Sequence, residues 1–459
     1  MLRLSVSPVG DERSITRRVD ALKGSIHPQL IQRTIRKVGR RTRACPLVSD
    51  EMAAWLVVGL GLFFTDALRQ VWRWLVPSDQ GAPRRSTLCM ARQRLGPRVL
   101  IELAKQVLRP LADDTTQGAC YHGLPLRAID CCNLSLYDSP ANRKTFSPQR
   151  VPKRKRRHGR RPPPVFPQAK LCCLCEVGTH AALSWGLKPM YWADCKMATP
   201  LLKHLSKGQL LLWDAAFYSR ANLAAIQAKG AHVLGRLAWS TGLQVVTRLA
   251  DGSYLARLPA GRRGKAHLRQ WGPTVRIIEY ELHHVASTHH KKHRLMTTLL
   301  DAAKFPAAEL AELYHQRWEL ELMIDELETH QLQQRLLVSQ TPAGVVQEVA
   351  GLLIAHWLVR KLMFDAAAEA NVSPLRLSFV GTLKLLRCRL GEASDTATPT
   401  RDWWRRLVSE IARDEVIEPR RPRINPRVLK LTNHDFPRKR PQHKPSIAPK
   451  FVDAFHVLR

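Results

Sequence analysis

Polar side chains interrupt an apolar helical pattern at Tyr314, Arg317, Glu321, Asp325 and Glu328, and at roughly 100° per residue these five fall within about 80° of arc on one face. No Gly or Pro occurs from Ala307 to Leu327, which predicts one long helix through the whole segment. Helical patterning also marks residues 13–43, where Arg17, Arg18, Lys23, Arg33, Arg36, Lys37, Arg40, Arg41 and Arg43 recur. An apolar helix from about Met52 to Val76 follows, with Asp50 as its cap, then a turn holding Pro77, Gly81 and Pro83. Ser86 reads as the N-cap of a helix beginning at Thr87, so the region draws as helix, turn, helix, with Arg92 and Arg94 offered to DNA. An ordinary surface helix explains the same pattern equally well.

From Leu124 the pattern turns to strands: Leu124 to Leu136, Lys170 to Val177 and Ala181 to Leu187, which predict an antiparallel meander. Gln209-Leu-Leu-Leu-Trp213 is a short continuous apolar run, as expected of a fully buried strand, and it ends in the carboxylate of Asp214. A helix from Asn222 to Lys229 is followed by β-type runs at Val233–Leu237, Leu243–Leu249, Tyr254–Leu258, Val275–Tyr280 and Arg294–Leu300, two of them joined by the hairpin turn Ala250-Asp-Gly-Ser253. Two further apolar helices are predicted at Val345–Phe364 and Leu375–Leu390.

Charge changes the picture more than composition does. With 45% hydrophobic residues in 459, the chain can bury a core and divide into several domains. Its 73 Lys and Arg against 38 Asp and Glu, a formal +35, point to a polyanionic partner, nucleic acid before a membrane surface. The apolar run Ala53–Phe64 is too short to span a bilayer and the first residues lack the apolar core of a signal peptide, so a cytoplasmic protein with no membrane partner is expected. The basic side chains cluster. Residues 151–170 hold eight and no acid, among them Lys153, Arg154, Lys155, Arg156 and Arg157, and residues 419–450 hold ten against Asp435 alone. The former reads as a solvated loop or, beside a polyanion site, as a clamp; the latter as an extended tail. The ten cysteines include Cys131-Cys132, Cys172-Cys173 and Cys175 in strand-like contexts without zinc-site spacing, which predicts buried reduced thiols.

Three carboxylates stand out by placement: Asp130 within the first strand, Asp214 at the end of the buried one, and Glu321 on the helix. Oxygen-only ligands suit hard cations such as Mg2+ or Mn2+, and two such ions roughly 3.5–4 Å apart serve in-line phosphoryl displacement. Each acid taken singly reads as a surface charge or a cap; the set of three, in so basic a chain, is what suggests chemistry.

Here the chain resembles the DDE transposases of bacterial insertion sequences, in particular the group typified by insertion sequence four. The signature of that group is Tyr, two residues, Arg, three residues, Glu, six residues, Lys; Tyr314, Arg317 and Glu321 stand at that spacing, with Trp318 in the usual place. Asp138-Ser-Pro-Ala-Asn142 after Asp130, Phe166-Pro-Gln-Ala-Lys170, Asp214-Ala-Ala-Phe217-Tyr218 and Ala91-Arg-Gln-Arg-Leu-Gly96 are similar to further blocks of the group. The resemblance implies an α/β fold, a ribonuclease-H-like catalytic core interrupted by a mostly β insertion domain, with a helical N-terminal DNA-binding domain. The division it suggests is 1–115 for the N-terminal domain, 116–216 and 306–395 for the two parts of the core, 217–305 for the insertion and 396–459 for a basic C-terminal region. Asp130, Asp214 and Glu321 would bind two Mg2+, for which Mn2+ can substitute. Tyr314 and Arg317 would contact phosphates, and Trp239 or Trp271 would be candidates to stack a flipped base, although a core Trp is the plainer identity. The implied partner is double-stranded DNA, both terminal inverted repeats and target, bound by a homodimer in the synaptic complex, and the implied reaction is cut-and-paste transposition in the bacterial nucleoid.

Two departures set up an alternative. Glu328 occupies the Lys position of the signature with Asp325 one turn before it, and Asp214 is followed by Ala215-Ala216 where the group has Arg-Gly. Acids opposed to phosphate cost affinity, so a weakened or inactive relative acting only as a DNA-binding protein is the second reading. A metal-storing protein using His283, His284, His289, His290 and His293 is the third and least supported.

Overall fold

The computed structural model describes residues 17–39, 47–76, 81–147, 166–260, 271–282, 292–392, 400–418 and 455–457. In chain order its elements begin with α1 (Arg17–Lys23), α2 (Pro28–Val38), α3 (Asp50–Leu62), α4 (Leu68–Leu75) and α5 (Arg85–Val107). There follow β1 (Cys120–Tyr121), β2 (Leu124–Ser135), α6 (Pro140–Phe146), β3 (Gln168–Glu176), β4 (Ala182–Pro189), α7 (Asp194–Ala198), β5 (Leu210–Trp213) and α8 (Arg220–Ala228). The strands β6 (His232–Arg236), β7 (Gln244–Arg248), β8 (Tyr254–Pro259), β9 (Trp271–Leu282) and β10 (Lys292–Thr297) lead to α9 (Ala307–His315) and α10 (Trp318–Asp325). A π-helical turn at Glu326–Gln331, α11 (Pro342–Ala370), α12 (Phe379–Glu392), α13 (Thr400–Asp414) and β11 (Phe455–Val457) complete the described chain. This is a mixed α/β protein. It divides into two compact units, Met1–Cys120 with Cys131–Trp192 and Leu320–Ile417, and Tyr121–Asp130 with Ala193–Glu319 and Glu418–Arg459.

The first unit is built on α11, whose apolar residues Val349 to Val359 are almost all buried because α3, α5 and α13 pack on several of its sides. The helix is long and apolar enough to cross a membrane, yet 78% of its most apolar window is buried inside the protein. Small residues let α3 approach its backbone: a Cβ on Gly61 would stand 2.6 Å from the Gly351 carbonyl oxygen. The cap of α3 is Ser49, which accepts from the Met52 amide at 3.2 Å; Asp50, expected in that role, lies in the first turn instead. The helix expected to run from Met52 to Val76 breaks after Leu62, where Asp66 accepts from the Trp74 indole at 2.8 Å and Phe63 stacks on the Trp74 ring. Ser86 is likewise inside α5, which begins at Arg85; Gly96, at φ 67°, kinks it before Pro97. Strands β4, β3 and β2 neighbour one another in that order, β3 and β4 antiparallel with Lys170 opposite Lys188.

In the second unit the order is β2-β5-β6-β10-β9-β8-β7. The pairs β2–β5 and β5–β6 are parallel, and the pairs from β6 to β7 antiparallel. The hairpin read at Ala250–Ser253 joins β7 to β8, with Arg248 opposite Tyr254. Every residue of β5 is buried, which is why it reads as a continuous apolar run rather than an alternating one.

Candidate active site

Strand register assembles one half of the site within the second unit. Leu126 pairs with Leu210 and Ala128 with Leu212. Continued two residues, that parallel register sets Asp130 beside Asp214, and partners in a parallel ladder share a face. Asp214 keeps extended backbone, φ −88° and ψ 166°, before the chain turns at Ala215. The guanidinium of Arg317 stands 3.7 Å from the Asp130 carboxylate, both side chains being only partly exposed.

Tyr314, expected to contact phosphate, faces the protein interior instead. Its side chain is buried, and its hydroxyl donates to the Trp213 carbonyl at 3.3 Å, tying α9 to the residue before Asp214. Burial pushes its phenol far above the ordinary value, so it stays neutral. The long helix predicted from Ala307 onward is interrupted between α9 and α10 at Gln316 and Arg317. There the amides of Gln316, Arg317 and Glu319 each reach back three residues, to Leu313, Tyr314 and Gln316, a tightened 3₁₀ pattern that needs no Gly or Pro.

Arg236 is a residue that sequence reading missed. Trp213 pairs with Gly235, so one more step sets Arg236 beside Asp214 at the end of β6. The Trp213 ring lies over Gly235, on the opposite face from both neighbours. Among the described residues no hydrogen bond or ion pair holds the Arg236 guanidinium, and its charge acts on Tyr314 and Tyr280. The available signal was its place at the end of a β-type run one strand beyond Asp214.

Glu321 lies in the first unit, on α10, half-buried, with Met323 on the same helix 3.7 Å from the Cys175 sulfur. Glu328, at the signature Lys position, is held by the Cys132 thiol; burial, with Asp325 adding to it, pushes the Glu328 carboxyl up. His330 stands 3.4 Å from Asp325. The acidic face after Glu321 is therefore partly occupied by partners within the protein.

At the N-terminal end, the roles foreseen for Arg92 and Arg94 are taken. Arg94 donates to Asp50 at 2.9 Å and to the Val48 carbonyl at 2.6 Å, while Arg92 donates to Ser339 at 3.3 Å and stands 3.7 Å from the buried Glu348. Both knit helices together. Cations also face outward on α2, where Arg33, Arg36 and Lys37 are exposed on the face opposite the buried Ile31 and Thr34.

The basic run with Lys153, Arg154, Lys155, Arg156 and Arg157, the tail 419–450, and His283, His284, His289 and His290 lie outside the described residues. His293 stacks on Tyr280. Trp239 is not a core residue: it is 48% exposed and the Arg294 guanidinium lies 4.1 Å from its ring centroid. Trp271 is part-exposed at the start of β9. Among the described residues the cysteines are free thiols, with Cys172, Cys173 and Cys175 buried as expected and Cys388 exposed.

The donor chemistry of the two aspartates fits a hard divalent cation, carboxylate oxygens alone, Asp130 within β2 and Asp214 just past the end of the neighbouring β5. Among the described residues no three His, Cys, Asp or Glu side chains are gathered closely enough to enclose a metal ion.

An acidic pair on adjacent parallel strands, with a guanidinium facing one of the pair, offers the oxygen-only donor chemistry that serves phosphoryl transfer. The chain belongs to the DDE transposase family: the family described as Transposase DDE domain matches residues 113–358, and that described as Insertion element 4 transposase N-terminal matches residues 16–105. Transposases of this family work on DNA with divalent metal ions. The chain is similar to the transposase InsG for insertion sequence element IS4 of Escherichia coli K12, at 27% identity over 453 residues, 94% of this chain and 97% of that one. Among solved structures, the piggyBac transposase synaptic complex with hairpin DNA aligns over 88% of this chain and 87% of its own, at 11% identity and a TM-score of 0.43.

Proposed function

We propose that this transposase binds the terminal inverted repeats of its element as a homodimer, cleaves the DNA at their ends and joins the free 3′-hydroxyl to target DNA. The catalytic residues in this reading are Asp130, Asp214 and Glu321, carried by a ribonuclease-H-like core. The observation that supports it is the β2–β5 register, Ala128 opposite Leu212, which continued two residues runs to Asp130 and Asp214, with Arg317 3.7 Å from the Asp130 carboxylate.

Asp130, Asp214 and Glu321 would hold Mg2+ or Mn2+, which when bound supplies the activation of a water or 3′-hydroxyl and neutralises charge on the leaving oxygen. The chain's own residues do the rest. Arg317 balances the Asp130 carboxylate and offers phosphate a planar fork of N–H donors. Arg236 adds a second permanent cation on the same face, in a chain whose signature Lys position is Glu328. Tyr314, neutral and bonded to the Trp213 carbonyl, fixes the helix from which Arg317 emerges. Outward cations on α2 take up the phosphate backbone of the element's end.

The test is cleavage of duplex oligonucleotides carrying the element's ends, with and without Mg2+. Asp130→Ala, Asp214→Ala and Glu321→Ala are each expected to abolish nicking and strand joining while leaving retardation of the DNA in a gel unchanged. Undiminished cleavage by Asp130→Ala rules the reading out.

A further inference from the structure

One carboxylate of the first unit has no place in the reaction above. Glu326 opens the π-turn that follows α10, and it is 4% exposed. Three side chains from two elements meet on it. His180, in the turn between β3 and β4, places Nδ1 at 3.0 Å from one carboxylate oxygen. From α11, His356 places Nε2 at 3.0 Å from the other oxygen, and Arg360 donates from Nε to that same oxygen at 2.9 Å. The second Arg360 nitrogen reaches both the remaining carboxylate oxygen and His180. Burial alone would push the Glu326 carboxyl up; the Arg360 guanidinium, and after it His180, hold it well below the ordinary value.

Such a cluster is a poor way to gain stability. Desolvating an ion pair offsets most of its attraction, and apolar side chains of similar volume usually serve as well or better. The cluster also sits among irregular backbone: His180 holds φ 58°, sparsely populated for a residue with a Cβ, and the turn itself is π-helical, a form seen mostly as single turns and often at functional sites. What the cluster does fix is rotation. Five residues separate Glu321 from Glu326, about 140° around the helix axis, so anchoring Glu326 inward sets the direction in which half-buried Glu321 points. Further along, Gln331 donates to the carbonyls of Gly61 at 2.8 Å and Leu352 at 3.1 Å, holding the end of the π-turn as Glu326 holds its start.

We propose that Glu326 is a positioning residue for the phosphoryl-transfer site: its ion pair with Arg360, braced by His180 and His356, locks the π-turn and with it the rotation of the helix that carries Glu321. This rests on the reading of Glu321 as a catalytic metal ligand.

The test replaces the pair by apolar residues, Glu326→Met with Arg360→Met, in the full-length protein. Thermal unfolding is expected at or above the wild-type temperature, since no buried charge is left alone. The midpoint for Mn2+, read as free Mn2+ by electron paramagnetic resonance, is expected to weaken about tenfold or more, and single-turnover cleavage to slow similarly, with the dissociation constant for end DNA unchanged. A wild-type Mn2+ midpoint and cleavage rate in the folded double variant overturn the proposal. Glu326→Asp, which keeps the charge and shortens its reach, serves if the double variant does not fold; it is expected to slow cleavage, and a wild-type rate overturns the proposal. Glu348→Gln, at an equally buried carboxylate of α11, is expected to lower the unfolding temperature without moving the Mn2+ midpoint, and an equal shift there overturns it too. Cleavage by Glu321→Ala at the wild-type rate would instead remove the underlying reading.

Discussion

Arg317 and Asp130 lie 3.7 Å apart, although 187 residues separate them, and the contact joins the signature arginine to the first acid of the proposed site within one compact unit. A guanidinium in that place both balances the carboxylate and remains a donor to phosphate. Arg317→Ala is expected to lower the single-turnover cleavage rate by roughly 10²-fold, the loss typical of one preorganised donor. Arg317→Lys should recover only part of it, since an ammonium lacks the planar fork. Rates measured at saturating DNA decide the matter; an Arg317→Ala rate equal to wild type would show that the pair is only structural.

Arg236 should behave as a second phosphate ligand. Arg236→Ala is expected to reduce the slope of log affinity against log salt concentration by about 0.9, one phosphate contact, and to slow cleavage. A guanidinium with no role at the site would leave both unchanged, and titrations at several salt concentrations separate the two outcomes.

The two sets of N-terminal cations predict opposite phenotypes. Arg33→Ala, Arg36→Ala and Lys37→Ala combined should flatten the salt dependence of end binding by up to about 2.7 and hardly change the unfolding temperature. Arg92→Ala should do the reverse, because it leaves Glu348 buried without its cation, at a cost on the order of 3 kcal/mol. Thermal unfolding and filter binding on the same preparations test both.

How far this was legible beforehand differs from element to element. The position of Asp214 was legible because a strand buried on both faces leaves a continuous apolar run that ends at this carboxylate; its role remains part of the proposal. Tyr314, Arg317 and Glu321 stood out as candidates because their spacing survives in the chain whether or not the helix is continuous. The interruption at Gln316 and Arg317 could not, since a 3₁₀ tightening needs no helix breaker. The partners of Arg92 were equally hidden: Ser339 and Glu348 lie about 250 positions away, and no local pattern distinguishes an arginine facing DNA from one facing a buried glutamate. Arg236 and Glu326 were missed for the same reason, their meaning depending on strand order and on a helix near the far end of the chain.

Acid should loosen the first unit through the Glu326 cluster. Burial holds His356 below the ordinary imidazole value of 6.5, with Glu326, Arg360 and His180 facing it. The unfolded chain then binds the proton more readily than the folded one, so stability is full above about pH 6.5 and declines as pH falls below it. Glu326, held below 4.5, adds a second decline as pH falls below that value. Unfolding temperatures measured from pH 8 to about pH 2.5 should be level at first and then fall, and the Glu326→Met, Arg360→Met protein should lose the lower step.

A turn wound more widely than its neighbours holds a residue that a regular helix would have no room for. Because Glu326 is anchored at one end of the Glu326–Gln331 turn and Gln331 at the other, the length of this stretch is constrained as strictly as its chemistry. Removing one residue from it would let the backbone relax into an ordinary helix and, in doing so, force the protein to give up one anchor or the other. Among related chains, gaps in an alignment should therefore avoid the interval from Glu321 to Gln331, even where the individual side chains drift.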